Sequence, residues 1–158
     1  MPNVYRPHFD EPRRHPGFNC DRARVGRQAG CERLGASLWA IPAGEAAYPY
    51  HFHLGEEELL IVLSGRPSLR TPCGWPDLEE GEVVAFPIGE EGAHQVVNRT
   101  PDEVRMIAIS TGGAPDIVLY PESEKVGAFE RRPEGGGLYA LFRSDDAVDY
   151  WDGETPPL

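Results

Sequence analysis

The chain is short of the residues that several kinds of function require. Lys125 is its single lysine, so the other fourteen basic side chains are arginines, a bias that fits a GC-rich, bacterial coding sequence. Acids outnumber bases 26 to 15, for a formal net charge of −11. So acidic a chain repels phosphate backbones, which argues against a nucleic-acid partner. The three cysteines, Cys20, Cys31 and Cys73, are an odd set without C-x-x-C spacing, which argues against a disulfide framework or a thiolate zinc site. Cys73 has no basic neighbour to lower its pKa and is a poor nucleophile candidate. No apolar run is long enough to span a bilayer. The start, MPNVYRPHFDEPRRHPGFN, is proline-rich and charged and lacks a signal-peptide core. The expectation is a cytoplasmic protein without a membrane partner.

Long uninterrupted helical stretches are also missing, because 18 glycines and 16 prolines punctuate the chain. Short apolar runs separated by turn residues predict strands instead. They fall at RLGASLWAI (33–41), Tyr48–His53, ELLIVL (58–63), PSLRT (67–71), EVVAF (82–86), AHQVVN (93–98) and VRMIAIS (104–110). Their even spacing reads as an antiparallel sandwich or barrel. A length of 158 residues suits one domain. Residues 1–33 carry seven arginines against four acids, whereas 144–158 carry five acids and no base. We expect this basic arm and acidic, aromatic tail to pack on the barrel or on a neighbouring subunit. Glu134-Gly135-Gly136-Gly137 lacks the lysine and serine of a phosphate loop and reads as a flexible turn.

Two of the five histidines, His51 and His53, stand one residue apart. Alternation along a strand turns both to one face, about 7 Å apart, where they can converge on one ion. Glu58 opens the next strand on the face of Leu60 and Val62, where a carboxylate needs a charged partner or a metal. Glu56 and Glu57 are expected in a solvated turn, and Tyr48, Tyr50 and Phe52 are expected to face away from the histidines. A third histidine, His94, follows a Pro-x-Gly turn in GEVVAFPIGEEGAHQVVN. In ELLIVL, Leu59, Ile61 and Leu63 form a second apolar face that needs cover, either by the chain's own C-terminal segment or by a second copy.

These two segments resemble the paired signature motifs of the cupin superfamily. Gly44, His51, His53, Glu58 and Gly65 match the first motif, and Gly81, Pro87, Gly89, His94 and Asn98 the second. Six residues separate Gly44 from His51 and four separate Gly89 from His94, each more than the motif has, and both insertions fall in turns. The resemblance implies an all-β, antiparallel, double-stranded β-helix (jelly-roll) barrel in one domain, 1–158. Its core would be about 33–111, with an N-terminal arm (1–32) and a C-terminal extension (112–158). It implies one divalent transition metal ion per chain (Zn, Fe, Mn, Ni or Cu) held by His51, His53, Glu58 and His94, with two free positions if octahedral. It also implies a homodimer. The function expected is that of a metal-dependent enzyme acting on a small oxygen-rich metabolite by oxidation, decarboxylation, isomerisation or lyase chemistry. The alternative is a non-catalytic module binding a sugar or another small molecule. No catalytic acid or base stands out, and fold alone names no reaction.

Overall fold

The computed structural model describes residues 1–112, 115–130 and 136–156. Of the Glu134–Gly137 turn, Glu134 and Gly135 lie outside the described residues. Among the described residues the fold has eleven short strands: β1 (Asp21–Ala23), β2 (Gly35–Ile41), β3 (Phe52–His53), β4 (Glu58–Ser64), β5 (Ser68–Arg70), β6 (Val83–Phe86), β7 (Gln95–Val97), β8 (Val104–Ser110), β9 (Asp116–Tyr120), β10 (Lys125–Phe129) and β11 (Tyr139–Arg143). One five-residue helix, α1 (Val25–Ala29), follows β1. The sheets run β1-β2-β8-β4-β6, β11-β10-β9-β3 and β5-β7. Their strand pairs are antiparallel. This is the all-β architecture expected of a cupin-type jelly roll. Among the described residues no helix is long and apolar enough to cross a membrane.

Alternation sets the core. In β4, Leu60 and Val62 are buried, and in β8 so are Val104 and Met106. They meet Trp39 and Ile41 of β2, Leu69 of β5 and Val96 of β7 in one apolar cluster. Each such side chain contributes about 1.5–3 kcal/mol by leaving water. Asn98 pins the turn that follows β7. Its amide donates to the carbonyls of Ile41 and Asp102 at 2.9 and 2.7 Å, and its carbonyl accepts from the Thr100 N–H at 2.9 Å.

Part of the outer face of β2 and β4 is covered by a segment that the sequence expectation did not name. Leu38, Ala23 and Val25 form a second cluster against which Val4, Phe9, Leu63 and Ile107 pack. The cover over Leu63 thus includes the N-terminal arm, tied down by β1 pairing with β2. The acidic tail, by contrast, does not pack on the barrel: Val148, Tyr150 and Trp151 are 72%, 82% and 71% exposed. The chain beyond Ser110, for which no strand was expected, supplies β9–β11. β9 pairs with β3, setting His53 opposite Val118.

Candidate metal centre

The four residues singled out in the sequence converge. His51 and His94 are joined by an antiparallel bridge, with His51 N–H donating to His94 O at 3.2 Å and His94 N–H to His51 O at 2.9 Å. Side chains of such a pair stand side by side, and the two rings lie 4.8 Å apart. Single ligand atoms of His51, His53 and Glu58 lie within 4.8 Å of one another. Glu58 Oε2 is 3.4 Å from His53 Nε2 and 3.3 Å from His94 Nε2. Glu58 opens β4 between Phe86 of β6 and Ser110 of β8. Phe86 stacks on the His94 ring at 3.7 Å and holds its plane.

The hydrogen bonds fix the tautomers. His51 Nδ1 lies 2.9 Å from the Pro49 carbonyl, and His94 Nδ1 lies 2.9 Å from the Gly92 carbonyl. A carbonyl only accepts, so each Nδ1 carries the proton and each Nε2 presents a lone pair. His53 Nδ1 lies 2.5 Å from Asp116 Oδ2, with the same consequence, and its buried Nε2 has no hydrogen-bond partner among the described residues. A buried nitrogen without a partner is costly unless something else occupies its lone pair. Three imidazoles beside one carboxylate oxygen are a donor set that suits a borderline divalent ion. The residues therefore fit a metal.

The charges agree. Burial, reinforced by the neighbouring His94 and His53, pushes His51 down to about 3, so its ring is neutral and ready to coordinate. Burial alone would raise Glu58, but its contact with His94 and the electrostatics of the surrounding imidazoles bring it down to about 2. Burial would lower His53, yet the Asp116 hydrogen bond and the Glu58 carboxylate hold it above its ordinary value.

Two sequence expectations need correction, and one residue of the site was missed. Glu56 is buried at 2% exposure, not solvated, because the turn before β4 folds it back beside His53 and Asp116; Glu57 is exposed as expected. Tyr48 does not face away: its ring meets His51 edge-on at 4.9 Å and His94 at 5.4 Å. Regular strand covers only residues 52–53 here, so period-two alternation does not reach back past Pro49. Tyr50 does turn elsewhere, under the Arg70 guanidinium. Finally, Asp116 had not been foreseen as part of the site. It is 1% exposed and also accepts the Gly55 N–H at 3.0 Å, so it orients His53 and the turn together. An acid heading the apolar run Asp-Ile-Val-Leu-Tyr carries the same signal that identified Glu58.

His51, His53 and Glu58 open onto a cavity of about 1150 Å³. Its walls include Tyr48, Tyr120 and Ser110, residues of the β10–β11 hairpin, and arginines of the N-terminal arm.

Comparison with known proteins places this geometry. Residues 37–110 match the family described as Cupin domain. No curated protein matches the chain. A candidate sugar phosphate isomerase from Acidithiobacillus ferrooxidans is similar in structure, at 27% identity, TM-score 0.74, and 85% of this chain on 83% of that one. A sugar phosphate isomerase from a cupin superfamily of Silicibacter pomeroyi superposes with TM-score 0.78 at 22% identity, over 96% of this chain and 98% of that one. A polyketide cyclase from Streptomyces resistomycificus is more distant, with TM-score 0.53 at 22% identity over 66% and 77%. Family match, shared fold and motif residues agree: residues 37–110 resemble a cupin domain in sequence, and the chain shares its fold with the two isomerase structures.

Proposed function

We propose that the chain is a metal-dependent enzyme that isomerises a small polyhydroxylated carbonyl compound, with His51, His53, Glu58 and His94 as the ligands of one divalent ion. The observation that carries this reading is the convergence of three Nδ1-tethered imidazoles beside the Glu58 carboxylate, next to a cavity large enough for a metabolite. A bound ion at these residues supplies Lewis acidity toward a carbonyl or hydroxyl oxygen. Isomerisation is favoured among the chemistries open to such a site by the likeness to the Acidithiobacillus protein, which spans most of both chains.

The chain's own residues have separate parts to play. Asp116 keeps the His53 proton on Nδ1 and so keeps Nε2 available. Tyr48 walls the site; burial, and the Glu58 charge nearby, hold its phenol well above the usual range. A phenol so held stays protonated, which suits a donor and rules it out as the base. Tyr120 lines the same cavity and stacks on His51 at 5.8 Å, so its hydroxyl is the one we assign to proton transfer with substrate.

An isomerisation of this kind removes a proton beside a carbonyl and returns one, so solvent deuterium should enter the product. Metal-loaded protein would be incubated in D2O with a panel of aldoses, ketoses and their phosphates and followed by proton NMR. One compound should interconvert with deuterium at the carbon next to the carbonyl, and E58Q should slow this more than it weakens metal binding. Retention of an unaltered compound by both proteins, with nothing consumed, would make the chain a binding module.

A further inference from the structure

The cavity contains a cation that the metal centre does not use. Five arginines of the arm, at 13, 22, 24, 27 and 33, line it against four glutamates, although the whole chain carries −11. Arg22 and Arg24 both pair with Glu11. Arg27 and Arg33 lie exposed at the rim. Arg13 is half-buried, and its guanidinium makes no ion pair among the described residues. Around Glu11, then, three guanidiniums share one carboxylate.

Arg13 is also held in place. Its backbone bridges to Cys20, with Arg13 N–H donating to Cys20 O at 2.8 Å and Cys20 N–H to Arg13 O at 3.2 Å. Its guanidinium carbon lies 4.7 Å from the centre of the Trp39 ring, as does that of Arg22. Trp39 is 4% exposed and rooted in β2, and its Nε1–H has no acceptor among the described residues. A guanidinium stacked on an aromatic ring keeps its N–H fork free for a planar or tetrahedral oxyanion. Trp39 in turn meets Tyr48 edge-on at 5.6 Å, and Tyr48 meets His51. Arg13, Arg22 and Tyr48 line the same cavity as His51, His53 and Glu58, so the cations and the metal ligands border one volume.

We propose that Arg13, stacked on Trp39 beside Arg22, binds an anionic oxygen group of the substrate, a phosphate ester or a carboxylate, and so orients its other end toward His51, His53, Glu58 and His94. The substrate role rests on the enzymatic reading above; the anion site does not need the metal. The anion would balance the excess positive charge at Glu11 and could accept from the Arg13 fork, since Arg22 already donates to Ser37 and Glu11.

Isothermal titration with ribose, ribonate and ribose 5-phosphate separates the sources of the anion on one carbon skeleton. Wild type should bind one of the two anions at least about tenfold more tightly than ribose, as expected for a charge-assisted bidentate contact. R13Q should lose that preference while its affinity for ribose, its metal content and its melting temperature stay unchanged. R13K should recover part of it, since a lysine keeps the charge without the fork. R14Q is the control, because Arg14 pairs with Asp21 at 2.5 Å and does not line the cavity. Equal binding of all three compounds by wild type, or an anion preference that survives in R13Q, would overturn the proposal. The H51A/H53A variant keeps the two readings apart: anion preference without turnover would leave the Arg13 site standing whatever becomes of the metal.

Discussion

Replacing Asp116 by asparagine should weaken metal binding without touching a ligand. The carboxylate accepts two N–H groups, from Gly55 at 3.0 Å through Oδ1 and from His53 Nδ1 at 2.5 Å through Oδ2, while only 1% exposed. Asparagine has the same shape but can accept at only one of those positions. If its NH2 faces His53, two donors oppose each other and the imidazole proton must move to Nε2, which removes the lone pair a metal needs. If its NH2 faces Gly55 instead, a buried backbone N–H is left unsatisfied, at about 1–3 kcal/mol of stability. Both orientations remove the charge that makes His53 a more basic ligand. Losses of this kind are about 10–100-fold in metal affinity, or about 1.4–2.7 kcal/mol. Competition with a chelator of known affinity measures the first effect, and melting of metal-free protein measures the second. D116N that binds metal within twofold of wild type would refute the orienting role.

Two further outcomes follow from the arm and the tail. Burial would raise the Glu11 carboxyl, but the hydrogen bond from Arg24 and the charges of Arg22, Arg24 and Arg13 hold it below the ordinary value. Its contribution to stability is therefore complete above pH of about 4.5 and is lost as pH falls through the lowered folded value. E11Q should lose about 1 kcal/mol at neutral pH and show a flatter acid limb in urea midpoints, and a parallel limb would contradict this. Leu141 and Phe142 on edge strand β11, with Tyr150 and Trp151 in the tail, expose apolar surface, and the predicted outcome is a homodimer that covers it. A sedimentation mass equal to the monomer at micromolar concentration would exclude that assembly.

How much of this was legible in the sequence depends on where local pattern meets tertiary contact. The strands β2, β4 and β8 were readable because their apolar residues alternate between turn signals, and β8 falls at the expected limits, Val104–Ser110. The four candidate ligands were readable because their spacing is itself the motif. Tyr48 was misplaced because Pro49 ends the alternation that would have turned it away. Glu56 looked like a solvated turn residue because nothing local distinguishes it from Glu57; its burial comes from β9, more than fifty residues later. Asp116 was overlooked for the same reason: it serves the site only through the β3–β9 pairing, a non-local contact that motif spacing does not encode. The arm's cover over Leu63 and the stacking of Arg13 on Trp39 likewise appear only once β1 is seated on β2.

The central claim is that three Nδ1-tethered histidines and one glutamate hold a metal ion. Elemental analysis of protein purified without added metal, beside the H51A/H53A variant, tests it most directly. Wild type should carry close to one divalent transition metal ion per chain, and the variant almost none while keeping its β-rich circular dichroism. Full occupancy in the folded double variant would contradict the account, as would a wild type that takes up no ion even after dialysis against one.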